Sequence, residues 1–212
     1  MAMALPVSTR MYWFTQCAVA VMAAAAVMEA GKRSFDLFGM VVIAMAAALG
    51  GGTLRDLLLD RTVFWVADQT YLIVALSSAL LTFFLARLVP QPARLFLLPD
   101  AVGLALFTVT GCKAAFALDT PWLVASFMGV ITGVMGGVLR DVLCNEEPLV
   151  FQGPLYATAA WLGALLLIGL LKLETDATWA TLSAGGFIFL LRIAALHWNL
   201  GLPKFRAGRH HV

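Results

Sequence analysis

The segment Gly50-Gly51-Gly52-Thr53-Leu54-Arg55-Asp56 returns as Met135-Gly136-Gly137-Val138-Leu139-Arg140-Asp141, 85 residues further along the chain. Leu58 and Leu143, and Tyr71 and Tyr156, stand at the same offset, so the match runs past the glycines into the segment that follows. A repeat on this scale means that one structural unit is used twice. Each copy closes a long apolar run with glycines and an Arg-Asp dipeptide, so the fold must accommodate two charges per copy at the end of a hydrophobic segment. Glycine breaks beside paired charges are a recurrent way of building a polar path through a membrane-embedded bundle.

With 62% hydrophobic and 12% charged residues among 212, and a mean hydropathy of +0.92, the chain falls outside the range of soluble domains. In hydrocarbon, backbone polar groups must pair within the protein, and long apolar runs without alternation favour helices over a barrel. The expected fold is an all-α polytopic membrane protein. Seven apolar stretches approach the length of a spanning helix. They run from about Met11 to Met28, Leu37 to Leu54, Gln69 to Ala86, Ala101 to Leu118, Thr120 to Leu139 and Leu149 to Leu171, with a seventh from Ala177 past Arg192 toward His197. The first exceeds a usual signal-peptide core, and Glu29-Ala30-Gly31-Lys32 is a poor cleavage site, so it counts as a helix. Gln152-Gly153-Pro154 lies inside the second copy and reads as native loop. The chain is then one transmembrane domain: repeat one over 11–86, repeat two over 101–171, a seventh helix over 177–200 and a basic tail over 201–212.

In this plan one side holds Lys32, Arg33, Arg87, Arg94, Arg140, Lys204, Arg206 and Arg209, while the other holds Arg10, Arg55, Arg61 and Lys172. Basic loops are retained in the cytoplasm. The expected orientation in the cell (inner) membrane is N-terminus outside and C-terminus cytoplasmic. Two consecutive three-helix units must then enter the membrane with opposite polarity, as inverted repeats, leaving the seventh helix outside the symmetry.

Glycine in a helix interior costs about 1 kcal/mol relative to alanine, so three in a row predict a bend or break. Freed carbonyls at a break can face a cation, and a following half-helix N-terminus can face an anion. The competing use of glycine is close helix packing, to which Gly39, Gly129 and Gly133 are assigned, whereas the duplicated clusters are read as breaks. Arg55, Asp56, Arg140 and Asp141 lie within about 8 Å of those clusters along a helix. A charge at the centre of a membrane helix costs at least about 2.5 kcal/mol, so such residues pair or line a wet cavity; alternatively each Arg-Asp marks a helix end, with Arg snorkelling outward. Which Arg pairs with which Asp is open. Adjacent residues point about 100° apart on a helix, so Arg55 and Asp56 are not expected to satisfy each other.

No metal-binding His cluster, strand-borne phosphate loop or nucleophile beside a base is present in the sequence, so neither catalysis nor a cofactor or metal is expected. No basic stripe interleaved with aromatics points to nucleic acid. Cys17, Cys112 and Cys144 lack metal-ligand spacing and read as small hydrophobes. The hydroxyls of Ser77, Ser78, Thr108, Thr110, Ser126 and Thr132 either line a partly hydrated path or bond to helix carbonyls. Pro90, Pro92 and Pro99 bracket a stiff connector, and Pro154 is placed at the opening of the sixth helix. Arg192 and His197 join Lys204, Arg206 and Arg209 as an inside-facing electrostatic anchor.

These residues resemble the trimeric intracellular cation channels in their bacterial branch, a group also catalogued as an uncharacterised membrane family and as a glycine transporter domain. The resemblance rests on two copies of Gly-Gly-x-x-Arg-Asp, on Gly111-Cys112-Lys113-Ala114 in the fourth helix and on the seven-helix plan, and it covers nearly the whole chain. It implies a homotrimer in membrane lipid with one pore per protomer, formed around kinked second and fifth helices and conducting monovalent cations, potassium above all. Carried over, the kinks fall on Gly50, Gly51, Gly52, Gly136 and Gly137, and the charge pairs near the pore on Arg55, Asp56, Arg140 and Asp141. Met135 departs from the glycine triplet, which implies a gentler second kink or one made with two glycines. Animal members carry a fourth-helix basic cluster tied to voltage response and phosphoinositides; only Lys113 corresponds, so phosphoinositide dependence is not expected. Lys113 either gates the pore or snorkels to lipid. The competing function is a secondary transporter of a small zwitterion such as glycine, since carriers share inverted repeats and broken helices. A scaffold without transport is a third reading.

Overall fold

The computed structural model describes residues 9–88, 92, 94–152 and 155–203. Pro90, Gly153, Pro154, Lys204, Arg206 and Arg209 lie outside the described residues. Among those described, the α-helices are α1 Thr9–Ala30, α2 Leu37–Leu58, α3 Phe64–Ala67, α4 Thr70–Leu88, α5 Leu97–Phe116, α6 Trp122–Leu143, α7 Ala157–Lys172 and α8 Ala177–Trp198, with a 3₁₀ turn at Leu149–Phe151. Six of them, α1, α2, α4, α5, α6 and α8, are long and apolar enough to cross a membrane. The fold is therefore an all-helical, polytopic membrane fold.

The sixth apolar stretch differs from its expected form. Instead of entering a helix at Leu149, the chain makes the 3₁₀ turn and begins α7 at Ala157. The Leu149 amide is held at 2.9 Å by the Asp141 carboxylate, which keeps this segment against the end of α6. What remains is a helix of 16 residues, about 24 Å long against the roughly 30 Å hydrocarbon thickness. The fourth helix starts earlier than expected, at Leu97. Pro99 thus belongs to its first turn, where a missing N–H is harmless, and not to the connector. Asp100, which the expected boundary left outside the helix, is 0% exposed within it.

Helix ends follow local chemistry. Asp36 accepts the Gly39 amide at 2.7 Å and caps α2, and Asp176 accepts from Thr178 and Trp179 at the start of α8. Beyond α2 and α6 the chain turns through Asp60 (φ 51°) and Asn145 (φ 55°), both in the left-handed region that Asp and Asn tolerate best after glycine. These two terminators are again 85 positions apart.

Each half encloses its own apolar core. Val19, Met22, Ile43, Ala47, Ala75 and Ala79 bring together α1, α2 and α4, while Leu104, Val109, Ala160, Leu167, Ala184 and Ile188 bring together α5, α7 and α8 with α6 alongside. The halves meet where α1 packs on α5 and α2 on α6. The α5–α6 contact within the second half rests on small residues as expected: a Cβ at Gly129 would lie 2.8 Å from the Thr108 carbonyl, and one at Gly133 would lie 3.0 Å from that of Leu104. Gly39 departs from its packing assignment. Its nearest neighbours are Asp36 and Phe35 of its own capping turn, not another helix.

Candidate functional site at the crossing of two glycine-bearing helices

The α2 and α6 helices run antiparallel past one another with their backbones touching. A Cβ added at Gly51 would fall onto the Thr132 carbonyl, and one at Gly136 onto the Ala47 carbonyl. Each glycine meets the partner helix four residues before that helix's own glycine, so the two contacts are equivalent under the 85-residue offset. Gly50 faces the side chain of Leu139, an exchange unavailable to its counterpart Met135. Both helices are α-helical without interruption through these segments, so the glycines do not break them. Their structural use is close backbone approach, because a side chain at either crossing position has nowhere to go.

On opposite sides of the crossing lie the two Arg-Asp dipeptides, and three of their contacts repeat at the 85-residue offset. Arg55 Nε donates to Asp56 Oδ1 at 2.9 Å, as Arg140 Nε does to Asp141 Oδ1 at 2.8 Å. Asp56 Oδ2 accepts the Phe64 amide at 2.9 Å, and Asp141 Oδ2 accepts the Leu149 amide. The carbonyls of Asp56 and Asp141 take the amides of Arg61 and Glu146, both at 2.8 Å. Arg55, Asp56, Arg140 and Asp141 are all buried. The pairing settles what the sequence left open and overturns the expectation that neighbours would not pair. Each dipeptide sits in the last turn of its helix, where the returning chain fixes the carboxylate and the flexible Arg side chain folds back onto it.

The second copy carries additions. Asp100 from α5 lies 2.5 Å from Arg140 Nη1, and the Tyr156 hydroxyl donates to the same Asp100 oxygen at 3.4 Å. The Arg140 guanidinium stands 5.2 Å from the centre of the Phe96 ring. Arg192 stacks on the Tyr156 ring at 4.6 Å and donates to the Leu155 carbonyl at 3.3 Å. Arg192 is 1% exposed, so it is an interior residue and not part of a surface anchor. Its neighbours come from α5, α6 and the loop before α7, which is why α8 sequence alone concealed its role. Asp100 was missed for the same reason, apart from the signal that Pro99 is a common first-turn residue.

Lys113 is half-buried, and its Nζ donates to Thr181 of α8 at 3.0 Å. The hydroxyls of Thr110, Ser126 and Thr132 donate to carbonyls within their own helices, and Ser78 donates to Ala20 of α1. Thr108 is buried, and its hydroxyl has no partner among the described residues.

Apolar helices, a backbone-to-backbone crossing of two glycine segments and a buried ion pair at each side of it define a polytopic membrane protein built around a duplicated helical motif. Residues 12–87 and, separately, 97–172 match the family model described as Glycine transporter. The chain belongs to this family, in the bacterial branch of the trimeric intracellular cation channels. It is 42% identical over 200 residues to the UPF0126 inner membrane protein YadS of Escherichia coli (strain K12), a match covering 92% of this chain and 95% of that protein. The solved trimeric intracellular cation channel orthologue from Rhodobacter sphaeroides superposes with a TM-score of 0.87 at 35% identity, covering 91% of this chain and 100% of the other. A TRIC cation channel whose structure addresses conductance superposes with a TM-score of 0.83 at 29% identity, covering 95% and 99%.

Proposed function

We propose that the chain is a potassium-conducting channel, assembled in membrane lipid as a homotrimer, with one cation path inside each protomer along α2 and α6. The coarser conclusion, a multi-pass membrane protein that acts as a cation channel and not as an enzyme, follows from its likeness to solved channels. The observation that carries the finer reading is the crossing of Gly51 and Gly136, flanked on either side by a buried Arg-Asp pair. In this reading the units over about 11–86 and 101–171 are inverted repeats, supported by the antiparallel run of their equivalent helices. The helix over 177–200 and the tail stand outside them. The N-terminus lies outside and the C-terminus in the cytoplasm, as the distribution of Lys and Arg favours.

Because the crossing is closed by backbone contact, opening the path requires α2 and α6 to bend or slide at Gly50, Gly51, Gly52, Gly136 and Gly137. Arg55, Asp56, Arg140 and Asp141 border its two mouths, and their mutual neutralisation lets a monovalent cation pass without a deep trap. Lys113, tied to α8 by Thr181, serves contact with α8 and lipid and not the gate.

The test is single-channel recording of the purified protein in planar bilayers under asymmetric KCl, with glycine added to one side. Discrete cation-selective openings that ignore glycine and disappear in Gly51→Leu and Gly137→Leu are expected. Silent bilayers together with saturable glycine counterflow in liposomes would establish a carrier instead, and full currents in both variants would remove the glycines from the mechanism.

A further inference from the structure

The two Arg-Asp ends are alike in sequence and unlike in what holds them. Among the described residues, Arg55 has a single carboxylate partner, whereas Arg140 has two, from different helices. The position equivalent to Asp100 in the first copy is Thr15, whose hydroxyl is spent on the Met11 carbonyl of its own helix. The last glycine of each motif tells the same story. Space beside Gly52 is filled by the Phe64 ring, whose Cε1 lies 2.5 Å from where a Cβ would stand; space beside Gly137 is faced by Tyr156 Oη at 2.8 Å, Arg140 Nη2 at 3.6 Å and Asp100 Oδ1 at 3.7 Å. One end is closed by an aromatic ring and the other by a polar network.

That network spans the second half. Asp100 stands on α5, Arg140 on α6, Tyr156 before α7 and Arg192 on α8. Asp100 and Arg140 are both 0% exposed, and Asp100 Oδ2 and Arg140 Nη2 have no hydrogen-bond partner among the described residues. A fully buried carboxylate retains its charge only beside a compensating cation, and removing one member strands the other. Asp100 therefore ties the last turn of α6 to α5, while Arg192, stacked on Tyr156 and bonded to Leu155, ties that junction to the helix outside the duplication.

We infer that Asp100 is a positioning residue of the permeation machinery: acting through Arg140, with Tyr156 and Arg192 behind it, it holds the Arg140 end of α6 against α5 and α8, so that this end and not the Arg55 end is the clamped one. The inference rests on the channel reading for its consequence, namely that release of the clamp governs opening, and stands independently of it as a statement about α6. A residue in this role changes how long the path stays open and not how much current an open path carries.

The experiment uses the purified full chain and two readouts: single-channel recording in symmetric KCl, and amide hydrogen exchange in detergent micelles. In Asp100→Asn, mean open time is expected to change about tenfold or more, with unit current held within about twofold. Exchange of the Arg140–Cys144 amides is expected to rise about tenfold while that of Arg55–Leu59 stays unchanged. Tyr156→Phe should move both readouts in the same direction, and the double variant should be non-additive. Thr15→Val, at the equivalent position of the first copy, should move neither. Unchanged exchange at the α6 end overturns the inference, as does a change of unit current or ion selectivity, which would place Asp100 in the path itself. If Asp100→Asn fails to fold, Tyr156→Phe decides: parental exchange and open times would refute the clamp. If the unsubstituted protein carries no current, the channel reading fails, and the exchange comparison still decides whether Asp100 holds α6.

Discussion

Arg55 and Asp56 are neighbours in the chain and partners in space, joined through Nε and Oδ1 at 2.9 Å. The same carboxylate receives the Phe64 amide on its other oxygen, so Asp56 fixes both the Arg side chain and the return of the chain after α2. Removing one partner of a buried ion pair costs about 3–5 kcal/mol. Asp56→Asn is expected to fall in that range, because Arg55 then has no carboxylate partner. Asp141→Asn should cost less, since Arg140 keeps Asp100. Unfolding midpoints of the two variants in detergent check the order; equal losses would mean that Asp100 does not compensate.

The glycines separate into crowded and open positions. Gly136→Ala places a methyl group onto the Ala47 carbonyl, and backbone cannot move aside as a side chain can. A loss of about 1–3 kcal/mol is expected from such overpacking. Gly186, in α8, has no atom of another segment among the described residues within 4 Å of its would-be Cβ. Gly186→Ala should gain up to about 1 kcal/mol from helix propensity. Thermal midpoints moving in opposite directions would bear out this division, and a harmless Gly136→Ala would contradict the close crossing.

The duplicated glycine and Arg-Asp motif announced the membrane class, the repeat and most helix positions, because hydropathy and internal similarity are properties of the chain alone. Pairing was not legible. The 100° rule gives the direction in which each side chain leaves its helix, but the long Arg55 and Arg140 side chains fold back onto carboxylates that the Phe64 and Leu149 amides hold in place. The glycine triplet was equally ambiguous: the same residues that permit a bend permit contact, and the Thr132 and Ala47 carbonyls that make the contact visible stand on the facing helix. Asp100 and Arg192 acquire their meaning from residues on other helices, so no local pattern marked them.

At the other end of the bundle, Asp176 caps α8 with one carboxylate oxygen, at 2.9 Å from the Thr178 amide and 3.2 Å from that of Trp179. The Trp179 and Thr178 donors hold its pKa below the ordinary Asp value. A lowered folded-state pKa gives a contribution fully present above the unfolded value and lost as pH falls through the folded one. The parent should therefore exceed Asp176→Ala in amide protection over the first turn of α8 at neutral pH. The difference should close only below the ordinary Asp pKa of about 3.9. Hydrogen exchange at several pH values checks this, and a gap that closes near neutrality would assign the effect to another group.

Lys113 is the remaining charge for which two roles were open. Its ammonium is half-buried and donates to Thr181 at 3.0 Å, while the Thr181 hydroxyl itself donates to the Ala177 carbonyl at 2.6 Å. This places it in the contact between α5 and α8, apart from the α2–α6 crossing. An ammonium within about 4 Å of a permeating cation would oppose it by roughly 4 kcal/mol at an effective dielectric of about 20, a factor near a thousand in occupancy. Removing such a charge could not pass unnoticed in the current. Lys113→Met is accordingly expected to leave unit current within about twofold of the parent. Thr181→Val, which strips the half-buried ammonium of its acceptor, should lower stability by about 1–3 kcal/mol. Single-channel recording and unfolding midpoints measure the two effects separately, and a several-fold rise of current in Lys113→Met would return this residue to the path.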